Sequence, residues 1–556
     1  MEFFFLLINI FIFTILINIS GIQLNKTIFK NYDLNIYENG VINSIFISIL
    51  ALNLNFFLPL NNFVNHIFLF SLLIFSIHSI LKNKSIIKKI LFKIFIASFL
   101  SFLFICLSNV NRPDAGLYHL PFINMLNENK ILVGSGNIHF RFSHISITQY
   151  FSAIFNNSIF GDKSISVPIA VLMSNFICLF FSKSNKILKK NEIYFKDILT
   201  LLIFIISLIN FNRFSDIGND GIAHLYFFYL TYLLFNFSKK TEIKSIKLSM
   251  FSLLATYLFL NKIFYIFSFL IPFYVLINEK NYIWLKSKFF FFLSLTLSTY
   301  LFRNFLVSGC FFFPLKFSCL EVNWFDKDII NQESISGKAW SKNWNTYEGS
   351  LSMSKFSENF NWLSTWLNGQ FNHISEKIIL NISILAIFLI LLVFTKKIEK
   401  DNKSIKYFLA FYFFLIINII IWFLNFPIYR YGEGYILIFL IFNVLFTVSF
   451  TKMKLFLPKK YLTIFFSILI LVIISKNTLR IYNNYNSNNH DIWPKIYPEQ
   501  TKITEYKKVF DKHGNFLFYQ SNNQQCMYFK SPCTYYINKK VYLKKNMFYK
   551  FYNVNQ

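Results

Sequence analysis

Ionisable side chains are concentrated in one stretch between two apolar runs, residues 111–146. It contains Asp114, Tyr118, His119, His139, Arg141 and His144. A carboxylate in this stretch could accept the proton of an attacking hydroxyl group, and a guanidinium can bind phosphate oxygens with two parallel hydrogen bonds. Simpler explanations exist, because Asp114 in Pro-Asp-Ala-Gly could cap a helix and the histidines could lie on an interfacial helix. The His-x-Arg spacing does not correspond to a specific metal site.

Further ionisable residues lie near the ends of later apolar runs: Asp216, Asp220, Lys262, Arg303 and Arg430. Asp216 and Asp220 are four residues apart, so a helix would place both carboxylates on one face, where they could hold a divalent cation. Capping of the next helix is the alternative for one of them. Lys262, Arg303 and Arg430 come from separate parts of the chain but are predicted to lie at one depth. Cations gathered at one depth could bind the phosphate group of an anionic lipid. For Lys262, extension of the ammonium group to the surface is the alternative.

The elements that must position these residues are predicted membrane spans. With 556 residues, 55% hydrophobic residues and a mean hydropathy of +0.46, the chain is not an ordinary soluble globular protein. A helix needs about 20 apolar residues to cross a bilayer. We predict an all-α polytopic membrane protein with about fourteen spans, near 2–19, 41–59, 64–81, 90–109, 164–182, 197–211, 222–237, 247–260, 263–277, 289–306, 376–395, 406–424, 434–450 and 460–475.

Two of these span predictions have alternatives. The first run lacks the basic start and the small-residue cleavage site of a signal peptide, so we predict a retained span. Residues 248–278 are predicted as a hairpin of two spans joined at Asn261 and Lys262, although a single bent span is the alternative. The later basic loops favour the hairpin.

The net charge of +29 comes largely from lysines in alternate loops between the apolar runs. These basic loops are 82–93, 183–196, 239–247, 280–288, 396–406 and 452–460. By the positive-inside tendency they face the cytoplasm. We therefore predict a transmembrane domain over residues 1–476, with outer loops 110–162 and 307–375, and a small soluble outer domain over 477–556.

The outer domain is predicted to be α+β, with a helix over 499–512 and strands near 515–520, 540–543 and 547–552. No basic face with interleaved aromatic residues lies outside the membrane part, so nucleic acid is not an expected partner.

The predicted outer side also contains four cysteines and several tryptophans. Cys310, Cys319, Cys526 and Cys533 are disulfide candidates if the compartment is oxidising, with three connectivities or free thiols left open. In the outer loop 307–375, Trp340 and Trp344 are predicted to bind an acceptor, because aromatic faces stack on sugar C–H surfaces. An interfacial aromatic belt is the alternative.

Four motifs, PDAGLYHLP, GNIHFRFSHIS, RNFLVSGCFFFP and FPIYRYGEG, resemble those of a bacterial family of large membrane proteins related to the GT-C glycosyltransferases. The resemblance covers most of residues 111–434. It implies a GT-C-like fold with Asp114 as the catalytic carboxylate, and a donor phosphate site formed by His119, Arg141, Lys262, Arg303 and Arg430. The chain departs from many GT-C enzymes because its first outer loop lacks a paired acidic motif and three spans precede the usual first two.

We therefore expect an integral membrane glycosyltransferase of a bacterial inner membrane, with its active site and C-terminal domain on the periplasmic face. Its expected partners are a polyprenyl-phosphate sugar, a glycan or lipid acceptor and the membrane lipids. No cofactor is expected unless Asp216 and Asp220 hold a divalent cation. The alternatives are a surface-polysaccharide polymerase or ligase, a transporter or flippase, and a structural membrane protein. A transporter should carry its ionisable residues deep within the spans.

Overall fold

In the computed structural model, the chain consists mostly of α-helices, followed by short strands near the C-terminus. The residues that the structure describes are 2–29, 34–82, 84–156, 159, 162–190, 195–214, 217–218, 220–236, 244–393, 396–398, 402–450, 454–456, 459–487, 491–496, 506–522, 525–536, 538, 540–546 and 548–554.

The helices are numbered in chain order. Helices α1 to α6 are Glu2–Ile28, Ile36–Phe57, Asn62–Lys82, Lys84–Ser101, Leu120–Glu128 and Ile147–Phe155. Helices α7 to α12 are Val167–Leu188, Phe195–Phe214, Asp220–Asn236, Lys244–Asn261, Leu270–Glu279 and Lys288–Ser308. Helices α13 to α19 are Lys327–Ser341, Met353–Phe356, Leu363–Trp366, Asn372–Val393, Asn402–Asn425, Tyr429–Phe450 and Lys459–Asn486. Short 3-10 or π-helical turns extend several of them.

Each of the fourteen predicted apolar runs falls on helical structure. Within the described residues, ten helical segments are long and apolar enough to cross a membrane, and a shorter apolar segment covers Ile263–Glu279. Large apolar side chains such as Phe63, Phe92 and Phe413 are exposed on the outside of the bundle. Helices with apolar outer faces are expected where the surroundings are lipid rather than water.

The predicted hairpin over 248–278 is present. Helix α10 ends at Asn261, and a 3-10 turn over Ile263–Phe269 leads into α11. Lys247 at the start of α10 forms a 2.7 Å ion pair with Glu279 at the end of α11. The two segments are therefore antiparallel, and Lys262 lies at their turn.

The predicted outer loops and the C-terminal tail pack against each other at one end of the bundle. Asn137 donates a 2.9 Å hydrogen bond to the carbonyl of Tyr552. The backbone N–H groups of Cys526 and Met527 donate to the carbonyl of Gly116, at 3.0 and 2.9 Å. The tail therefore docks on the turn that follows Asp114.

The strands are also numbered in chain order. They are β1 (Lys396–Ile398), β2 (Lys454–Phe456), β3 (Tyr506–Phe510), β4 (Phe516–Ser521), β5 (Cys533–Thr534), β6 (Val541–Lys545) and β7 (Lys550–Val554). Strands β1 and β2 pair antiparallel, joining two of the basic loops. In the tail, β3 and β4 are antiparallel, β5 joins β4 in parallel, and β6 and β7 form a separate antiparallel pair.

One prediction for the tail needs correction. The helix predicted over 499–512 is wrong for Tyr506–Phe510, because these residues pair with β4 as a strand, while 497–505 lie outside the described residues. Helix α19 continues to Asn486, and Asn477 within it accepts a hydrogen bond from Asn212 of α8. The predicted strands correspond to β4, β6 and β7.

The structure contains disulfide bonds between Cys310 and Cys319 and between Cys526 and Cys533. These are the local pairings among the three connectivities that the sequence left open. Cys106 and Cys178 are free and buried.

Candidate functional site

A cleft of about 360 Å³ opens where the predicted outer ends of several long helices meet. Its polar lining includes Tyr118, His119, Arg141, His144, Asp220, Lys262 and Arg430. Much of the remaining lining is apolar: Ile263, Phe264, Ile266, Phe267, Phe313, Leu315, Ile421 and Phe426. The cleft therefore combines a charged group with an extended apolar wall.

Arg430, at the start of α18, joins two carboxylates. Its Nη1 atom lies 3.0 Å from Oδ2 of Asp114, and its Nε atom lies 3.8 Å from Oδ2 of Asp220. Lys262 forms an ion pair with Asp220, and its Nζ atom lies 3.6 Å from the centre of the Tyr431 ring. Acidic and basic groups thus alternate across the site in the order Asp114, Arg430, Asp220 and Lys262.

The local structure explains how Asp114 reaches this group. Asp114 stands immediately before a π-helical turn, Ala115–His119, and its side chain makes no capping hydrogen bond to that turn. Single π-helical turns often mark functional sites. The capping explanation for Asp114 is therefore not supported, because the carboxylate binds Arg430 instead.

The electrostatic surroundings keep Asp114 ionised. Burial alone would raise the pKa of its carboxyl group, but the charge and hydrogen bond of Arg430, with His119 nearby, hold that pKa below its usual value of 3.8. The side chain of Asp114 is 33% exposed, whereas that of Asp220 is 13% exposed. A hydroxyl group from outside can therefore reach Asp114 more easily than Asp220.

Among the described residues, three cations and two carboxylates contribute to the charge of the site. Burial and the nearby Arg141 lower the pKa of His144 to about 3, so this histidine is neutral at pH 7. Arg141, Lys262 and Arg430 contribute +3 to the cleft lining and Asp220 contributes −1, and the adjoining Asp114 contributes a further −1.

A neighbouring carboxyl group on α13, Glu333, can change this balance. Burial raises its pKa to about 7, although the charge of Arg141 opposes the shift. Glu333 therefore changes its charge near neutral pH, beside one of the cations of the cleft.

His224 and Tyr265 support the backbone at Arg430. The Nε2 atom of His224 lies 3.0 Å from the carbonyl oxygen of Arg430, and its Nδ1 atom lies 2.7 Å from the hydroxyl group of Tyr265. The carbonyl can only accept, so Nε2 carries the proton and Nδ1 accepts from Tyr265. A β-carbon at Gly434 would lie 2.5 Å from the Tyr265 oxygen and 2.7 Å from Nδ1. Glycine at position 434, which has no β-carbon, therefore allows the side chains of His224 and Tyr265 to lie close to the α18 backbone.

The structure does not bring every predicted site residue into the cleft. Asp114 is outside the lining and adjoins it through its ion pair with Arg430. Arg303 is 2% exposed, and the centre of its guanidinium lies 5.2 Å from the Phe122 ring and 5.5 Å from the Tyr150 ring. Its neighbours on α12, Tyr300 and Asn304, line the cleft instead. Arg303 therefore faces away from the predicted donor phosphate site.

His139 also lies outside the cleft lining. It is buried, and its ring stacks on Phe140 with the centroids 5.0 Å apart. Burial and the charge of Arg141 lower its pKa to about 3. His119 does line the cleft, and its Nδ1 atom lies 3.0 Å from Nε2 of Gln149.

The two tryptophans predicted to bind an acceptor have different surroundings. Trp340 is 40% exposed, and the Arg430 guanidinium lies 5.4 Å from the centre of its ring. Trp344 instead packs against Tyr347 and Phe356, with ring centroids 5.3 and 5.1 Å apart. Trp340 therefore borders the charged group, whereas Trp344 belongs to an aromatic cluster.

The residue types of the cleft give little support for a metal ion. Within the part of the chain that the structure describes, no group of three or more His, Cys, Asp or Glu side chains is placed to hold one. Asp216 lies outside the described residues. The Asp220 carboxylate contacts Lys262 and Arg430, which occupy the position that a cation would take.

Sequence reasoning missed Glu333, His224, Tyr265 and Tyr431 as members of the site. Tyr431 had a signal, since it adjoins Arg430 in the motif FPIYRYGEG. Glu333 had none, because it is one charged residue on a polar helix.

A protein-family model with the description "Domain of unknown function (DUF8201)" matches residues 3–437. No curated protein and no solved structure matches the chain. The family match covers more than half of the sequence, so the chain belongs to this family.

Proposed function

We propose that this member of the DUF8201 family is an integral membrane glycosyltransferase of the GT-C type with about fourteen spans. In this proposal the enzyme lies in a bacterial inner membrane with its cleft and tail on the periplasmic face. It moves a sugar from a polyprenyl-phosphate carrier to a cell-surface glycan or lipid acceptor. The observation that carries the proposal is the cleft itself, in which Arg430, Lys262 and Asp220 adjoin an apolar wall. Asp114 adjoins this cleft through its ion pair with Arg430 and is within reach of solvent.

The apolar wall and the cations suit different parts of one donor molecule. A polyprenyl chain would contact Phe264, Phe267 and Phe313, since burying apolar surface is favourable. The phosphate group would contact Lys262 and Arg430. The aromatic ring of Tyr431 beneath Lys262 holds the ammonium group through a cation–π contact.

In the reaction, the acceptor hydroxyl oxygen attacks the anomeric carbon of the sugar and gives its proton to Asp114 as the new C–O bond forms. The bond between that carbon and the phosphate oxygen breaks, and polyprenyl phosphate leaves with the electron pair. A single displacement of this kind inverts the anomeric configuration. Lys262 and Arg430 stabilise the charge that develops on the leaving phosphate.

The donor of the alternative function differs in charge. A polyprenyl-phosphate sugar is a phosphodiester with one negative charge, whereas a diphosphate-linked donor, as a polysaccharide polymerase or ligase would use, carries about two. A transfer assay with both donors therefore separates the two functions.

The positions of the ion pairs speak against a transporter. Among the described residues, the pairs Lys190 with Asp197 and Lys247 with Glu279 lie at helix ends, as do the charges around Arg430. A transporter is expected to place such groups near the middle of the bilayer.

Transfer can be tested with the full chain in lipid nanodiscs. Polyprenyl-phosphate hexoses labelled in the sugar would be incubated with a cell-envelope lipid and glycan fraction, alongside the same hexoses on a polyprenyl diphosphate. We expect label to move to the acceptor, with release of polyprenyl phosphate, from the phosphate-linked series. Turnover of the diphosphate-linked series alone would support the polymerase or ligase, and turnover of neither would reject glycosyl transfer from these donors.

The proposed orientation can be tested with cysteine reporters. Ser334→Cys on α13 should react with an impermeant thiol reagent in intact cells, and Lys286→Cys in a basic loop should react only after permeabilisation. The free native cysteines of the described chain are buried, which keeps the background low. The reverse pattern would place the cleft on the cytoplasmic side.

A further inference from the structure

A second group of charged side chains lies outside the cleft, at the predicted outer ends of α8, α16, α18 and α19. We call it the basic cluster, and it consists of Arg213, Lys377, Lys476, Arg480 and Glu433. None of these five residues lines the cleft.

Asparagine side chains bring the basic cluster together. On α8, Asn210 donates a 3.0 Å hydrogen bond to Asn381 of α16, and Asn212 donates to Asn477 of α19. These buried bonds fix the depth at which the three helices meet. Arg213, Lys377 and Arg480 each lie within about one helical turn of this layer on the outer side, because α16 enters the bundle after Lys377 and α19 leaves it before Arg480.

Direct contacts connect the cations to α18. Nη1 of Arg213 lies 3.6 Å from Oε1 of Glu433. The Arg213 guanidinium and the Lys377 ammonium lie 5.4 and 5.8 Å from the centre of the same Tyr429 ring. Lys476 and Arg480 are within electrostatic range of Arg213.

The positive charges of the basic cluster exceed the negative charges of the described residues around it. Arg213 and Lys377 act on Glu433, as does the nearby Arg112, and Glu376 lies near Lys377. Asp216 is outside the described residues and does not enter this comparison. Nη1 of Arg213 is enclosed and makes no hydrogen bond among the described residues, because the Glu433 oxygen that it faces lies 3.6 Å away. An enclosed guanidinium nitrogen that lacks a hydrogen bond is costly, so an external anion that supplies one would stabilise it.

The helices that carry the basic cluster are apolar on their exposed sides. On α16, Ile379, Ile382 and Ile387 are exposed, and on α19 Ile468 and Leu471 are exposed. A ligand that contacts the cations from this side meets an apolar surface directly below them.

We propose that the basic cluster binds the phosphate headgroup of a membrane lipid, whose chains lie along α16 and α19. The assignment relies on the membrane insertion proposed above but not on glycosyl transfer. Arg213 and Arg480 would bind phosphate oxygens through their guanidinium groups, which match phosphate geometry better than lysine does. Lys377 and Lys476 would add charge.

The test measures binding of radiolabelled dioleoyl phosphatidate to the purified full chain in a neutral detergent, with dioleoyl phosphatidylcholine as the neutral lipid. The test variant is the double substitution Arg213→Gln and Arg480→Gln. The control is Lys316→Gln with Lys355→Gln, which removes two exposed positive charges from the predicted outer loop. We expect the Kd for phosphatidate to increase about tenfold or more in the test variant and to stay at the wild-type value in the control.

The single substitution Arg480→Gln controls for misfolding of the double variant, because Arg480 is exposed and its substitution cannot leave a cavity. It should weaken phosphatidate binding about threefold or more. Equal binding by the test variant and its control would overturn the assignment, and so would phosphatidylcholine binding as tightly as phosphatidate. If inorganic diphosphate binds as tightly as phosphatidate, the acyl chains of the lipid contribute nothing to binding. That result would overturn the assignment of a lipid as the ligand.

Discussion

The cleft and the basic cluster both contain residues from the first turn of α18, yet their cations differ in how they contact acidic side chains. In the cleft, Arg430 contacts Asp114 and Asp220, and Lys262 contacts Asp220, so both cations are held in place by acids of the chain. In the basic cluster, the acidic contact of Arg213 among the described residues is Glu433 at 3.6 Å, whereas Arg430 has a 3.0 Å hydrogen bond to Asp114. Charges held by hydrogen bonds fix geometry before a ligand arrives, which catalysis needs. Cations in excess over their acidic neighbours select a ligand by its charge.

Asp114→Asn should have the largest effect and should separate the two regions. The amide keeps the shape of the carboxylate but cannot accept the acceptor proton. Initial rates of sugar transfer should therefore fall by roughly two to four orders of magnitude. Phosphatidate binding at the basic cluster should not change. Asp328→Asn, at an exposed carboxylate of α13, is the matched control and should keep the wild-type rate. Full transfer by folded Asp114→Asn would assign the base elsewhere, first to Asp220.

Arg430→Lys tests the comparison, because it keeps the positive charge but removes the guanidinium group that contacts both carboxylates. Lysine cannot contact Asp114 and Asp220 from two nitrogen atoms at once, so KM for the polyprenyl-phosphate donor should rise about tenfold or more. Arg213→Lys in the basic cluster should leave donor KM unchanged. A donor KM for Arg430→Lys equal to that of the wild type would remove Arg430 from the donor site.

Arg303→Met tests the arginine that the structure places outside both regions. Methionine fills a similar volume among Phe122 and Tyr150 and removes a buried charge. We expect unchanged donor KM and a detergent-solubilised Tm at least as high as that of the wild type. A tenfold increase in donor KM, with Tm unchanged, would return Arg303 to the donor site.

Trp340→Ala and Trp344→Ala form a matched pair on the segment next to the cleft. Trp340 is exposed beside Arg430, so its loss should raise the acceptor KM about three- to tenfold, as loss of one aromatic contact would. Trp344 packs in an aromatic cluster, so its loss should lower Tm with less change in acceptor KM. Equal effects of both variants on acceptor KM would assign the segment a structural role.

Glu333 should produce the smallest effect, a shallow pH dependence of donor affinity. Its pKa is about 7, so the side chain is mostly neutral at pH 6 and mostly ionised at pH 8, where it offsets the charge of Arg141. Donor KM should therefore rise about two- to threefold between these values. Glu333→Gln should abolish the rise. Asp114 cannot produce it, because its pKa lies below 3.8 and its charge does not change in this range.

Hydropathy predicted the helices because a run of about 20 apolar residues leaves a membrane chain few other structures. It could not predict which way each helix faces. Helix α12 is apolar on most sides, so nothing in the sequence indicated that Tyr300 and Asn304 line the cleft while Arg303 faces Phe122 and Tyr150. The pairing of Asp114 with Arg430 joins residues 316 positions apart and depends on the packing of whole helices.

The tail was harder to predict than the helices. Residues 506–510 contain two lysines between aromatic and aliphatic residues, a pattern that a helix or an edge strand accommodates. These residues form a strand because they pair with β4. Since β4 follows only after a turn, the pattern within 506–510 does not reveal this partner. Local pattern therefore predicted the strands β4, β6 and β7 of the tail but not β3.

The docking of the tail on Gly116 has a consequence for the order of assembly. A ribosome makes the segment carrying Asp114 well before Cys526 and Met527, whose backbone N–H groups bond to the Gly116 carbonyl. In the proposed orientation the tail must also be exported before it can contact that carbonyl. The turn that follows Asp114 would therefore be complete only after the tail segment around Cys526 has been made and exported, so that a chain truncated before Cys526 should remain inactive.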